Sequence, residues 1–266
     1  MAANEKSLKE KAAEARAAAL KAERARQRRT NILIGGGLLV VIALIVGGVV
    51  YASHQNSSTT NASTLPPVDP NAPLPKTVLP STSALAYGFP LGTAAATKST
   101  VQIWEDFQCP KCGEFEQAQG AAIQQLAADG KIYLVYRPAS FLDGKLPQSN
   151  LSSARATSAW GCAIDAGVGE SYHNVVFSNQ PATEGTGYTD DQLLAFGKDA
   201  GLSGATYDSF ASCVGAHTYL GWAANSAGAF VDSAVPGTPN VQIDGTEIPD
   251  TEIGNAAAYI DAHRKQ

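Results

Sequence analysis

The stretch Thr100-Val-Gln-Ile-Trp-Glu-Asp-Phe-Gln-Cys109-Pro-Lys-Cys112 joins a strand pattern to the start of a helix pattern. Two cysteines at this spacing can form a small disulfide, so the pair can hold or release two electrons. Pro110 suits the first turn of a helix, and Cys109 then lies beside unpaired N–H groups and the positive end of the helix dipole, which favour a thiolate. Because the thiolate is the nucleophile of thiol–disulfide exchange, the stretch predicts redox chemistry on other thiols.

The two cysteines of this motif are predicted to have different roles. Cys109 precedes the helix and is expected to be the exposed nucleophile, whereas Cys112, one turn into the helix, is expected to be the more buried resolving thiol. Lys111 places a positive charge between them, which should favour the thiolate further. Nearby acidic residues act in the opposite direction: Glu105, Asp106, Glu114 and Glu116.

The alternative interpretation of Cys-x-x-Cys is one half of a zinc site. Zinc ribbons usually supply a second such motif or a pair of histidines. In this chain the other cysteines, Cys162 and Cys213, are single and widely spaced, and the four histidines are scattered. The sequence therefore favours a redox pair over a metal site, and we predict neither a metal nor an organic cofactor.

The charge pattern divides the chain into a basic and an acidic part. Residues 1–31 carry nine Lys/Arg and four Glu, whereas residues 53–266 carry ten Lys/Arg and twenty Asp/Glu. Residues 32–52 between them are uncharged, and 21 residues form a helix of roughly 32 Å, long enough to cross a bilayer. The basic side precedes this span, so the positive-inside rule puts the N-terminus in the cytoplasm and the remainder outside.

An uncleaved membrane anchor is the favoured interpretation of residues 32–52, and a cleaved signal peptide is the alternative. The predicted localisation is therefore the cell membrane, with one span and an extracytoplasmic C-terminal domain. All four cysteines fall on the outer side, where disulfides persist. The acidic outer part argues against nucleic acid as a partner.

The sequence predicts four regions along the chain. Residues 1–31 form a charged, helical cytoplasmic tail, 32–52 the transmembrane anchor, 53–85 a Ser/Thr/Pro-rich linker, and 86–266 one globular domain with a helical insertion at about 148–232.

Periodicity predicts the elements of this domain in the order strand, helix, strand, helical block, hairpin, helix. This order is a thioredoxin-like α/β layout with an α-helical insertion before the hairpin. The hairpin is centred on Asp244-Gly245, a dipeptide that favours a two-residue turn. The predicted elements are strands 100–104 and 132–137, helices 110–129, 152–166, 207–214 and 219–230, a helix that begins at the Thr189 capping box and ends before Gly201, hairpin strands 240–243 and 246–248, and a last helix at 251–263.

The segment Val235-Pro-Gly-Thr238-Pro239-Asn-Val241 carries a second signal. A proline immediately before a strand is a candidate for a cis peptide bond. In thioredoxin-like proteins a cis-proline loop lies against the Cys-x-x-Cys motif, and the residue before the proline offers its backbone to an extended substrate. Thr238 and Pro239 are therefore predicted to support the active site, the alternative being an ordinary Gly-Pro loop.

Cys162 and Cys213 lie on two predicted helices of the insertion. We predict a structural disulfide between them. In the chain-entropy model, closing a loop of about 50 residues stabilises the fold by roughly 4 kcal/mol. A second redox pair is the alternative, although neither cysteine belongs to a Cys-x-x-Cys motif.

With these residues in place, the chain resembles the membrane-anchored DsbA-like thiol–disulfide oxidoreductases of high-GC Gram-positive bacteria. The resemblance covers about residues 86–264 and rests on Glu105 to Glu116, on Gly237-Thr238-Pro239 with the Asp244-Gly245 hairpin, and on Cys162 and Cys213. It implies that Cys109 is the nucleophile, Cys112 the resolving thiol and Pro239 the cis-proline. It also implies that the substrates are exported cysteine-containing proteins, and that a membrane partner similar to vitamin K epoxide reductase, linked to a quinone, reoxidises the pair.

One position departs from this pattern. Many thioredoxin-like proteins have a buried carboxylate six residues before the nucleophile, where this chain has Ile103. Glu105, on the same side of the strand, is the candidate substitute. His173 is interpreted as a structural histidine that could lie near the site, and five aromatic residues are interpreted mainly as core: Trp104, Phe107, Phe115, Trp160 and Trp222.

The leading functional hypothesis is an oxidase for exported proteins. The runner-up is an extracytoplasmic reductase, for example in cytochrome c maturation. A hypothesis of another class is a tethered, non-catalytic module that holds exported peptides against the cis-proline loop.

Overall fold

The computed structural model describes residues 64–146 and 150–265. The predicted cytoplasmic tail, the predicted transmembrane anchor and the first part of the predicted linker lie outside the described residues. Within the described ranges, no helix combines the length and the apolar character that a membrane crossing requires.

A mixed sheet organises the domain. Its strands stand in the order β1-β3-β2-β4-β5, with β2 and β3 parallel and the other neighbours antiparallel. The strands are β1 (Phe89–Leu91), β2 (Ser99–Glu105), β3 (Ile132–Pro138), β4 (Asn240–Ile243) and β5 (Thr246–Glu247).

Helices connect and cover these strands. The crossover from β2 to β3 is α1 (Pro110–Phe115), a π-helical turn (Glu116–Gly120) and α2 (Ala121–Ala128). A 3₁₀ turn, Phe141–Gly144, follows β3, and another, Asp250–Asn255, precedes α8 (Ala256–His263). The block between β3 and β4 contains α3 (Ser152–Asp165), α4 (Gly169–Ser178), α5 (Asp190–Asp199), α6 (Gly204–Gly215) and α7 (Leu220–Asp232).

The central strand β2 fixes the place of the Cys-x-x-Cys motif. Val101 and Ile103 are fully buried on one face of the strand and Trp104 is buried on the other, as expected of a strand covered on both faces. Because β4 runs antiparallel to β2 and pairs Asn240 with Trp104, the beginning of β4 lies beside the end of β2. The residues before β4 and the residues after β2 therefore meet at one edge of the sheet.

The predicted turn and cap signals are confirmed. Asp244 and Gly245 have φ angles of 50° and 83°, the positive values that a type I′ hairpin requires. The Asp244 carboxylate also accepts hydrogen bonds from the Thr100 N–H and the Ser99 hydroxyl, at 2.9 Å each. Thr189 forms the predicted capping box with Gln192 at the start of α5.

Two elements were not predicted from the sequence. The strand β1 has only three residues and pairs with β3 at the sheet edge. The helix α4 begins without a side-chain cap, and its mixture of Ser, His and Asn among apolar residues gives a weak periodic signal. Its position against the sheet is set by tertiary packing rather than by local propensity.

Residues 64–85, the part of the predicted linker that the structure describes, contact the helical block. Residues 64–85 lack helix or strand structure, but they pack along the helical block. The Asp69 backbone exchanges two hydrogen bonds with the Asn225 side chain of α7, at 2.8 and 2.6 Å. The Lys76 N–H donates to Asp165 at the end of α3, and Val78 is buried. Side chains such as Asn225, far along the chain, supply the partners that the local sequence cannot reveal.

The helix α3 lies at the centre of the helical block. Thirteen of its fourteen residues are buried, and most are Ala, Ser, Thr or Gly, whose small side chains let neighbouring elements approach closely. A Cβ atom at Gly161 would lie 2.7 Å from the ring of Tyr219. The predicted disulfide is present and joins Cys162 on α3 to Cys213 on α6, with their Cα atoms 5.8 Å apart.

Candidate active site

The Cys-x-x-Cys motif lies at the start of α1, as predicted. Cys109 is the N-cap residue with an extended backbone, and Pro110 occupies the first turn. The N–H groups of Cys112 and Gly113 donate to the Cys109 carbonyl at 3.0 and 3.2 Å. Both cysteines are free thiols, and Cys109 retains 8% of its surface whereas Cys112 retains none. The nucleophile is therefore less exposed than expected, but it is the accessible member of the pair.

The pKa values of the two thiols are shifted in opposite directions. Hydrogen bonding to Cys112 is the largest influence on Cys109; together with Thr238 and the N–H groups of Cys112 and Lys111 it outweighs burial and lowers the pKa of Cys109 to about 6. Burial raises the pKa of Cys112 well above its ordinary value, and the Cys109 and Glu105 charges raise it further. The reduced pair is thus a Cys109 thiolate beside a Cys112 thiol.

The charge of the Lys111 side chain interacts with Cys109 only weakly. Its ammonium group is exposed and forms an ion pair with Glu114 at 2.7 Å, and Glu114 is the main cause of the raised pKa of Lys111. Among the influences on that pKa, the charge of Cys109 is the smallest. Lys111 supports the thiolate mainly through its backbone N–H, which any residue except proline would supply.

The cis-proline loop faces the nucleophile. The Thr238–Pro239 peptide bond is cis, as the sequence predicts. Sγ of Cys109 lies 3.4 Å from the Thr238 carbonyl oxygen, to which it donates when it is protonated. Thr238 therefore presents its backbone beside the reactive sulfur, in the position where an extended peptide could pair with it.

Two side chains of the helical block hold the loop before the motif, and sequence reasoning missed both. Gln180, just after α4, donates through Nε2 to the carbonyls of Phe107 and Cys109, at 2.9 Å each. The Tyr188 hydroxyl donates to the same Phe107 carbonyl at 2.8 Å. Neither residue belongs to a motif, so no sequence signal indicated that they meet the active-site loop.

A buried carboxylate network fixes the loop from a second side. One Asp106 oxygen accepts from the Gln108 N–H at 2.9 Å and from the Ser153 hydroxyl at 2.5 Å. Asp143 accepts from the N–H groups of Ser153 and Ala154 at the start of α3. Burial raises the pKa of Asp106, and burial likewise raises that of Asp143 to about 6. These bonds tie the loop after β2 to the first turn of α3.

Glu105, the candidate substitute for the missing carboxylate, is buried at the end of β2. Ile103 is part of the core, and Glu105, two residues on, is 5% exposed and acts electrostatically on Cys112, whose pKa its charge raises. Its Oε2 is 2.9 Å from Nε2 of His173, and the other ring nitrogen of His173 is 4.0 Å from a Glu116 oxygen. Burial, assisted by the charge of Cys109, raises the pKa of Glu105 to about 8.

Ligand atoms of Glu105, Glu116 and His173 lie within 4.8 Å of one another, the only such group of three or more His, Cys, Asp or Glu side chains in residues 64–146 and 150–265. Metal binding requires deprotonated ligands. Burial raises the pKa of Glu105 to about 8 and raises that of Glu116 well above its ordinary value, which opposes the deprotonated forms that a metal would need. The group is therefore suited to hold protons, and the two motif cysteines lie outside it.

The aromatic residues have the predicted core positions. Phe107 packs edge-on against Trp160, with ring centroids 5.6 Å apart, and Trp160 packs against Trp222 at the same distance. All five of the predicted aromatic residues are buried: Trp104, Phe107, Phe115, Trp160 and Trp222.

Comparison with known proteins agrees with this geometry. Residues 88–262 match the family model described as thioredoxin. No curated protein matches the chain.

Solved structures with the same fold include the proteins MdbA, DsbA and BdbD. MdbA, a thiol-disulfide oxidoreductase from Actinomyces oris, is 22% identical, with 71% of this chain and 91% of that chain covered and a TM-score of 0.58. Oxidised DsbA from Mycobacterium tuberculosis is 24% identical, with coverage of 65% and 98% and a TM-score of 0.51. Oxidised BdbD from Bacillus subtilis is 19% identical, with coverage of 66% and 94% and a TM-score of 0.54.

Proposed function

The chain belongs to the thioredoxin family, and we propose that it is an extracytoplasmic thiol–disulfide oxidoreductase that oxidises cysteine pairs in exported proteins. Its fold is that of the DsbA-like oxidoreductases, as the sequence resemblance predicted. The single observation that carries the proposal is the asymmetry of the motif, in which Cys109 is a stabilised thiolate and Cys112 a buried thiol.

The reaction begins from the Cys109–Cys112 disulfide. A substrate thiolate attacks Sγ of Cys109, the bond to Cys112 breaks, and Cys112 leaves with the electron pair. A second substrate thiolate then attacks the substrate sulfur of this mixed disulfide. Cys109 leaves as a thiolate, the substrate gains a disulfide, and the enzyme is left reduced by two electrons.

Glu105 can donate and accept the proton that this exchange requires. The departing Cys112 thiolate is fully buried, so it needs a proton at once, and the charge of Glu105 acts on its pKa. A carboxyl group with a pKa of about 8 is protonated at neutral pH and can supply that proton. Glu105 is thus the acid when Cys112 leaves and the base when Cys112 attacks.

The direction of electron flow follows from the same asymmetry. Lowering the pKa of Cys109 stabilises the reduced enzyme, and a stabilised reduced form makes the disulfide a stronger oxidant. The deciding measurement is the reduction potential of Cys109–Cys112 against glutathione. We expect a value well above thioredoxin's, about −270 mV; a value near that figure would replace the oxidase with a reductase.

Substrate trapping separates an enzyme from a non-catalytic binding module. With Cys112→Ala, mixed disulfides at Cys109 can no longer be released by attack of Cys112, so exported proteins should accumulate on the variant in cells. Cys109→Ala/Cys112→Ala is the matched control, since it keeps the cis-proline loop but cannot form the bond. Equal recovery of exported proteins on both variants would favour the binding module.

The proposed location and reoxidant rest on the sequence of the N-terminal region. An uncharged span after a basic tail supports one membrane anchor with the domain outside. A quinone-linked membrane protein similar to vitamin K epoxide reductase would then reoxidise the pair. In intact cells, a membrane-impermeant maleimide should label Cys109 after reduction; labelling only after lysis would overturn the location.

A further inference from the structure

Glu105, Glu116 and His173 form a buried cluster of titratable side chains. His173 comes from α4, Glu105 from the end of β2 and Glu116 from the π-helical turn. His173 is 1% exposed, and its ring is enclosed by Tyr136, Phe107 and Trp160, with centroids 4.3, 5.8 and 5.3 Å away. Because these neighbours are aromatic, the groups of the cluster that can hold a proton are the His173 ring and the carboxyl groups of Glu105 and Glu116.

Hydrogen bonding specifies which ring nitrogen of His173 carries the proton. Gln124 and Asn174 form a reciprocal amide pair at 2.8 and 2.9 Å, which leaves the Asn174 oxygen facing Nδ1 of His173 at 3.2 Å. An amide oxygen only accepts, so Nδ1 donates. In the neutral ring Nε2 then has a free lone pair, and it lies 2.9 Å from Oε2 of Glu105.

The contact between Glu105 and His173 therefore requires one proton on the line between Oε2 and Nε2. Burial lowers the pKa of His173 and raises that of Glu105, so in the resting protein the carboxyl group holds this proton and donates to the ring. The other Glu105 oxygen, Oε1, is buried, and a side-chain hydrogen bond with Glu116 lowers the pKa of Glu105 while it raises that of Glu116. Glu105 can accept a proton on one oxygen while it gives one up from the other.

We propose that His173 is a positioning residue and proton acceptor for the Cys112 step, in a relay that runs from Cys112 through Glu105 to the His173 ring. The inference rests on the proposed thiol–disulfide exchange. It identifies His173 as the group that exchanges a proton with the buried acid Glu105.

The relay acts when Cys112 resolves a mixed disulfide. The Cys112 thiol gives its proton to Glu105 as Glu105 gives its own proton to Nε2 of His173. The Cys112 thiolate attacks Sγ of Cys109, the new disulfide forms, and the partner sulfur leaves with the electron pair. Glu105 stays neutral throughout, and the positive charge resides on the His173 ring.

Charges around the ring suit this transient state. Glu116 and Glu170 both raise the pKa of His173 and so favour the imidazolium, against the burial that lowers it. The remaining titratable groups that act on Glu105 or lie against the ring are Cys109 and Cys112 from α1 and Tyr136 from β3. Tyr136 stays neutral because burial raises its pKa well above the ordinary value.

The test is stopped-flow reaction of the reduced protein with an aromatic disulfide that releases a coloured thiol. A first, bimolecular phase reports attack by Cys109, and a second, unimolecular phase reports resolution by Cys112. We expect His173→Gln to slow the second phase about tenfold or more near neutral pH and to change its pH profile, while the first phase stays within about twofold. An unchanged second phase and pH profile in the folded variant would overturn the relay. A wild-type protein without a second phase would instead count against the exchange activity itself.

Two further measurements separate the relay from a packing effect. Phe177→Leu is the matched control, because Phe177 packs on His173 with centroids 5.0 Å apart but takes no part in the relay, and its pH profile should match that of the wild type. In a double-mutant cycle, His173→Gln should slow the second phase little further once Glu105→Gln has interrupted the relay. Additive effects of the two substitutions on that rate would contradict the relay. Nitrogen NMR of the wild type should show neutral His173 protonated on Nδ1; protonation on Nε2 would overturn the relay even if no variant folds.

Discussion

Two cysteine pairs in one domain have opposite surroundings. Cys109 and Cys112 lie within a single helical turn at the end of the central strand, where N–H groups and the cis-proline loop stabilise a thiolate. Cys162 and Cys213 join two helices across 51 residues, and Cys162 is buried in the tightly packed α3. The Cys109–Cys112 pair is placed so that the thiolate of another molecule can reach it and so that its reduced form is stabilised. The Cys162–Cys213 pair restrains the chain. Position in the fold, rather than the bond itself, separates a reactive disulfide from a structural one.

The largest expected effect is the difference in activity between variants of the two cysteine pairs. Cys109→Ser removes the nucleophile, so oxidation of a reduced test peptide should fall at least about 10³-fold, to the uncatalysed rate. Cys162→Ser/Cys213→Ser should keep the activity within about twofold at temperatures where it stays folded. A comparable loss in the double variant would break the distinction and restore the second redox pair that the sequence left open.

The unfolding free energy should depend more on the Cys162–Cys213 pair than on the Cys109–Cys112 pair, the reverse of the order expected for activity. In the chain-entropy model, loss of the Cys162–Cys213 bond costs about 4 kcal/mol of unfolding free energy. The matched control is Cys109→Ser/Cys112→Ser, which opens a loop of only a few residues and should cost less. Urea unfolding of both variants measures this difference, and equal losses would contradict a specific structural role for the second pair.

The reactive pair should also make stability depend on pH and on redox state. The pKa of Cys109 is lowered to about 6 from an ordinary 9.0, so its thiolate stabilises the folded reduced form. That stability is complete above the ordinary value and is lost as the pH falls through about 6. Between about pH 5 and about pH 8, the reduced form should therefore gain about 1–2 kcal/mol over the oxidised form, after allowance for solvent screening. Urea midpoints of both forms test this, and the rise in stability of the reduced form between these pH values should be smaller in Cys109→Ser by the same amount.

The smallest effect concerns Lys111. Because its ammonium group is exposed and paired with Glu114, Lys111→Gln should raise the pKa of Cys109 by less than about 0.5. Titration of the thiolate by its ultraviolet absorbance measures the change. A rise of a whole unit or more would show that the Lys111 charge governs the reactive pair, as the sequence pattern suggested.

The elements with strong local signals were predictable. The β2 and β3 runs, the long helix after Pro110, the Thr189 cap and the Asp244-Gly245 turn all follow from local backbone and side-chain preferences. Helix α4, strand β1 and the packed segment 64–85 were not predictable, because their stability comes from partners that are distant in sequence.

The candidate site divides in the same way. The sequence by itself determined the reactive motif, the cis-proline and the partner of each cysteine, because spacing and residue type carry that information. Only the tertiary structure decided the rest: that Gln180 and Tyr188 hold the loop, that the Lys111 ammonium group pairs with Glu114, and that Glu105 and His173 meet. A pKa depends on burial and on neighbours brought together from several elements, so no local pattern could have set it.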